Sequence, residues 1–265
     1  MTTRVDWDSL YAAYAAARAA VLSDDEQAKP FELPDAAVSR IATPADEDVR
    51  WLIEALGHDE RKWLVAELAC RSKSLAEAFF TPMLDAGIDE VDPSFNRYFI
   101  EPCVQAFGHR RVNEYLLDVA ESGSAFRKAG AVNALYWAQV WLSFVGNVPS
   151  FTIEHAMPES RATYEAVADL RERKRRLLLE TFVSNPSVDV RRSIIPALNL
   201  DPAAYPESHR PLVARAIEIA RGSDDEYIRH RVEVQLGNVM VLAPLPHREK
   251  GAAQAQPDGA PDPAS

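Results

Sequence analysis

Six histidines and two cysteines are the side chains in this chain best suited to hold a metal ion or attack a substrate. His58, His109, His155, His209, His230 and His247 are scattered, whereas a metal site needs three or four convergent ligands. Glu54 and His58 have helical i, i+4 spacing, but Gly57 between them is expected to end the helix. Cys70 and Cys103 have no histidine close in sequence to activate them. No Gly-x-Ser-x-Gly elbow, phosphate-binding loop or dinucleotide fingerprint occurs. These residues therefore point to no metal, no cofactor and no catalytic group, which argues against an enzyme without excluding one.

Two other groups could bind rather than react. In "LRERKRRLLLE" (170–180), Arg171, Lys174 and Arg175 share a helix face and could receive a phosphate or an acidic partner. The expected outcome is a solvated face balanced by Glu172 and Glu180. Tyr136, Trp137, Trp141 and Phe144 could line a groove, but aromatics on an uncharged helix are expected to pack in the core. Large-scale nucleic-acid binding is opposed by a formal charge of -11 over 265 residues.

The elements that position these groups read as helices. With 47% hydrophobic residues and only 10 glycines, a large helical core is affordable. An i, i+4, i+7, i+11 stripe of Leu10, Tyr14, Ala17 and Val21 predicts a first helix from about Trp7 to Leu22. The acidic, Pro-containing stretch that follows is expected to have little regular structure, closing a first unit at residue 46. Helical periodicity then predicts segments near 49–56, 60–70, 74–86, 95–107, 110–121, 125–145, 161–183, 188–198, 208–221 and 225–240, forming one unit over 47–243. Residues 244–265, rich in Pro, Ala and Gly, are expected to be a disordered tail. Ala129–Gly146 is uncharged for 18 residues, the bottom of the range for a membrane span, but Asn133, Gln139 and Ser143 favour a buried central helix. No membrane association is expected. Two lone cysteines suit a reducing, cytoplasmic setting.

An internal repeat links these helices. "DERKWLVAEL", "AFRKAGAVNAL", "DVRRSIIPAL" and "YIRHRVEVQLG" align on Arg61, Arg127, Arg191 and Arg229, with Leu64, Gly130, Ile194 and Val232 three residues on and Leu68, Ala134, Leu198 and Leu236 seven on. Arg191 and Arg229 stand 38 residues apart, near the ~40-residue period of HEAT units, whereas gaps of 66 and 64 separate the others. In "NPSVDVRRSIIPALNL" (185–200), a turn is expected to end one helix and Asp189 to cap the next. The pattern resembles HEAT-like, armadillo-type helical repeat proteins, mainly over 185–240. The resemblance implies an all-α, right-handed α-α superhelix; an irregular α-helical bundle is the alternative. It further implies a non-enzymatic scaffold that binds another protein across its repeat surface. Lys62, Lys128 and Arg192, each following an aligned arginine and lacking an evident partner, are expected to form a positive strip for an acidic partner segment. The alternative function is that of a HEAT-like alkyl-base DNA glycosylase, for which Trp63, Glu67, Trp137 and Asp118 supply the residue types.

Overall fold

The computed structural model describes residues 4–23, 31–146 and 151–238. Among these there is no strand, and the protein is all-helical. The helices are α1 (Trp7–Leu22), α2 (Asp35–Ala42), α3 (Asp46–Leu56), α4 (Lys62–Arg71), α5 (Phe80–Ile88), α6 (Arg97–Phe107), α7 (His109–Ser122), α8 (Ala125–Trp137), α9 (Pro158–Ala166), α10 (Ala168–Ser184), α11 (Val188–Ile194), α12 (Arg210–Arg221) and α13 (Glu226–Gln235). No described helix is long and apolar enough to cross a membrane.

Local chemistry starts several of them. Asp6, Ser124 and Asp225 accept from backbone N–H groups in the first turns of α1, α8 and α13, satisfying donors that have no partner inside a helix. At α11 the cap is Ser187; Asp189, the expected cap, lies one position inside the first turn. Gly108 joins α6 to α7 alone, at φ +83° and ψ 154°, a conformation that favours glycine.

Packing proceeds stepwise along the chain. α4 lies on α3 and α6, α5 on α6 and α8, and α7 on α8 and α10. α8 lies on α11, α10 on α12, and α12 and α11 on α13. One hydrophobic cluster runs through all of them from Trp7 to Val232. At the N-terminal end, the buried carboxylate of Asp48 accepts from the Trp7 indole at 2.8 Å and the Ala45 N–H at 2.9 Å, with Arg40 at 3.5 Å. Trp7 stacks on Trp51, whose indole donates to Asp8.

Three expectations need correction. The stretch before residue 46 is not devoid of regular structure, because α2 forms in it and buries Ala37 and Ile41. The predicted helix over 161–183 is two helices, broken at Val167, where φ is -115° and ψ 24°. The predicted 125–145 helix ends at Trp137, so Ala129–Gly146 is not one buried helix, and Trp141 is 61% exposed. The predicted tail, 244–265, lies outside the described residues.

A candidate binding groove

The early end of α8 shapes an exposed aromatic surface. His109 Nδ1 donates to the Ala138 carbonyl at 2.9 Å, and the Asn113 side-chain N–H₂ donates to the same oxygen at 2.8 Å. Two side chains from α7 thus occupy the carbonyl at the point where α8 stops. His109 opens α7 and holds the end of α8. Beyond Ala138 the chain leaves the helix and carries Trp141 outward.

Tyr136, 52% exposed, meets Trp137 edge-on at 4.8 Å and Trp141 at 5.7 Å. The Trp137 indole donates to the Pro93 carbonyl at 3.1 Å. These three aromatics line an open groove of about 670 Å³, with Arg231 of α13 and Lys174 of α10 also in its wall. Phe144 does not join them; it packs on Phe151. Tyr136 and Trp141 are therefore surface, whereas Trp137 packs against the core.

A second cavity of about 260 Å³ adjoins the groove. Gln139, Lys174 and Ala197 line both. The inner cavity adds Arg171, Arg175 and Tyr164 over an apolar wall that includes Leu170 and Leu178. The combined lining holds four cationic side chains and no carboxylate.

The four cations are not equivalent. Arg171 lies 3.4 Å from the centre of the Tyr164 ring and donates to the Tyr164 carbonyl. Arg175 is paired with Glu172 at 2.6 Å and donates to the Ala204 carbonyl at 3.0 Å. Lys174 has neither an ion pair nor a hydrogen bond among the described residues, and burial pulls its ammonium down to about 8. Arg231 Nε is buried without a hydrogen-bond partner. The basic run is thus not the balanced, solvated face expected of it: Glu172 serves Arg175 and Arg176, Glu180 serves His209, and Lys174 is left over. A sequence signal for this was present. Leu170, Lys174 and Leu178 recur at i, i+4 and i+8, so the lysine stands within an apolar stripe.

The residues expected to be free for a partner are not free. Lys62 reaches Glu90 at 2.9 Å, with Asp59 at 3.8 Å, and its side chain is only 12% exposed. Lys128 donates to the Glu121 carbonyl. Arg192 pairs with Asp225 at 3.4 Å and lies over the Tyr227 ring. Of the aligned arginines, Arg127 pairs with Asp85 and Asp89, Arg61 stacks on Tyr11 and Trp51, Arg191 donates to the Phe182 carbonyl and Arg229 to that of Ser223.

The residue types suggested for base excision are not assembled. Trp63 is enclosed by Phe95, Tyr98 and Phe99, Glu67 pairs with Arg71, and Asp118 pairs with Arg173; of the four, only Trp137 lines the groove. Desolvation pushes the Cys70 thiol up to about 11 and Cys103 up to about 12, so both are held in the less nucleophilic thiol form. No three His, Cys, Asp or Glu side chains among the described residues group as a metal site would require. Comparison with family models, with curated proteins and with solved structures finds no match to this chain.

Proposed function

We propose that this chain is a non-enzymatic, HEAT-like helical repeat protein that holds an acidic segment of another protein in the groove beside Trp141. The repeat reading is supported by the aligned residues. Arg61, Arg127, Arg191 and Arg229 stand at or near the starts of α4, α8, α11 and α13, and the residues three positions on are all buried. Such stacking produces extended binding surfaces. Two unpaired cysteines fit a cytoplasmic setting.

The observation that carries the binding reading is the carboxylate-free, cationic and aromatic groove on a chain of net charge -11. An acidic segment is repelled by most of that surface and attracted here, which sets register as well as rate of encounter. Tyr136 and Trp141 offer rigid, half-apolar area to a neighbouring apolar side chain. Duplex DNA is a poorer fit, because its affinity comes from many phosphate contacts, and only Lys174 and Arg231 lack partners here.

The test uses fluorescent peptides that combine Asp or Glu with Trp or Leu, alongside duplex and single-stranded DNA. Arg231→Glu and Trp141→Ala are compared with the unaltered protein. Trp141 is exposed, so its removal should leave the melting temperature nearly unchanged. Acidic peptides should bind, and each substitution should weaken them by about tenfold, roughly 1.4 kcal/mol. Peptide binding untouched by both substitutions, or tight binding to DNA alone at moderate salt, overturns the reading.

A further inference from the structure

The inner cavity differs from the groove in front of it. It is smaller, close to the ~300 Å³ lower end of ordinary small-ligand sites, and one side of it is apolar. Val140, Val167, Leu170 and Leu178 form that side. The opposite chemistry is supplied by Lys174, with Arg171 held against Tyr164 and the side-chain amides of Gln139 and Asn199 nearby.

A partly buried ammonium with no counter-charge is costly, and neighbouring guanidinium groups raise the cost. Acidic side chains are not scarce, since the chain has 40. Even Glu172, two positions away, turns to Arg175 and Arg176. The fold therefore leaves one cation uncompensated where a cavity of ligand size opens onto it.

We propose that this cavity is a binding site for a small organic oxyanion, a carboxylate or phosphate ester, whose charged group sits on the Lys174 ammonium and whose apolar body lies against Leu170 and Leu178. The site shares Lys174, Gln139 and Ala197 with the peptide groove but takes a different ligand. Its ligand is a free molecule of metabolite size. Lys174 provides a point charge and Arg171 a planar set of donors, a combination suited to carboxylate and phosphate oxygens.

Benzoate and inorganic phosphate serve as probes, each titrated into the full chain by calorimetry against chloride at equal ionic strength. At least one should bind saturably, and which of them binds tighter names the ligand class. Lys174→Met keeps the apolar stem and removes the charge. It should weaken the preferred probe by about tenfold or more and, without ligand, raise the melting temperature, because an uncompensated buried charge has been removed. Arg231→Glu, at the outer groove, should leave probe affinity within about threefold. In the unaltered protein, mass-spectrometric mapping of amine acylation should show Lys174 shielded when the probe is present. Absence of saturable binding by either probe, equal binding by Lys174→Met, or a lower melting temperature for that variant overturns the proposal. The outer groove is judged separately, on peptide binding by Trp141→Ala and Arg231→Glu.

Discussion

A β-carbon on residue 130 would lie 1.9 Å from the Ile88 carbonyl oxygen, far inside contact distance. Gly130 therefore sets how closely α8 approaches the end of α5. In the other aligned segments the same place is taken by Leu64, Ile194 and Val232, all buried, so those crossings have room for a side chain. Gly130→Ala should destabilise the fold by about 3 kcal/mol, the upper range for overpacking, as read by urea unfolding. A cost within about 0.5 kcal/mol would mean that the two backbones separate easily. At this scale the sequence was only half legible. Gly130 was visible as an aligned position, but its close approach depends on Ile88, 42 residues earlier. Lys174 is conspicuous in the sequence by its charge, and less so by its place in the apolar stripe of Leu170 and Leu178.

Asp48 shows how an element is tied down. Its carboxylate serves the Trp7 indole, the Ala45 N–H that begins α3, and Arg40 of α2, so one buried group joins three helices. Asp48→Ala should cost about 1–3 kcal/mol, because it leaves the Trp7 indole and the Ala45 N–H without their acceptor. Asp48→Asn should recover part of that by keeping an acceptor. A melting curve for Asp48→Ala that overlays the unaltered protein would refute the tie. Most helices were legible from their 3.6-residue periodicity, and the misreadings have physical causes. α2 has eight residues and follows Pro34, too short for a periodic signal. The end of α8 is dictated by His109 and Asn113, 29 and 25 positions away from Ala138, so nothing local announced it. The groove shares that invisibility, since Trp141 reaches its rim only where α8 has stopped.

For the whole molecule, the pH dependence of stability should carry the signature of Lys174. Its folded pKa, about 8, lies below the ~10.4 of an unfolded lysine. Below pH 8 both states hold the proton and the burial cost is present in full. Between about 8 and 10.4 the unfolded state holds more protons, so stability rises with pH. Arg171, Arg175 and Tyr164 are the other ionisable side chains that line the cavity, and they are common to both proteins. Tyr115 and Tyr205, pushed up to about 12 by burial, contribute equally with and without Lys174 and cancel in a comparison. The stability gap between Lys174→Met and the unaltered protein should therefore close as pH rises from 8 to 10, by up to roughly 3 kcal/mol. A constant gap in paired denaturant titrations would refute this.

Stepwise packing has a consequence for synthesis. Each helix rests on neighbours near it in the chain: Trp7 reaches Asp48 across 41 positions, and Arg110 reaches Asp169 across 59. These ties span dozens of residues but follow chain order, so the front of the chain can condense while the rest is still being made. The groove cannot form so early, because its walls come from α8, α10, the turn after α11 and finally α13. A nascent chain released before Glu226 would possess a folded front and no Arg231 with which to hold a partner. Under the proposed function, capture of a partner would report that translation has passed α13.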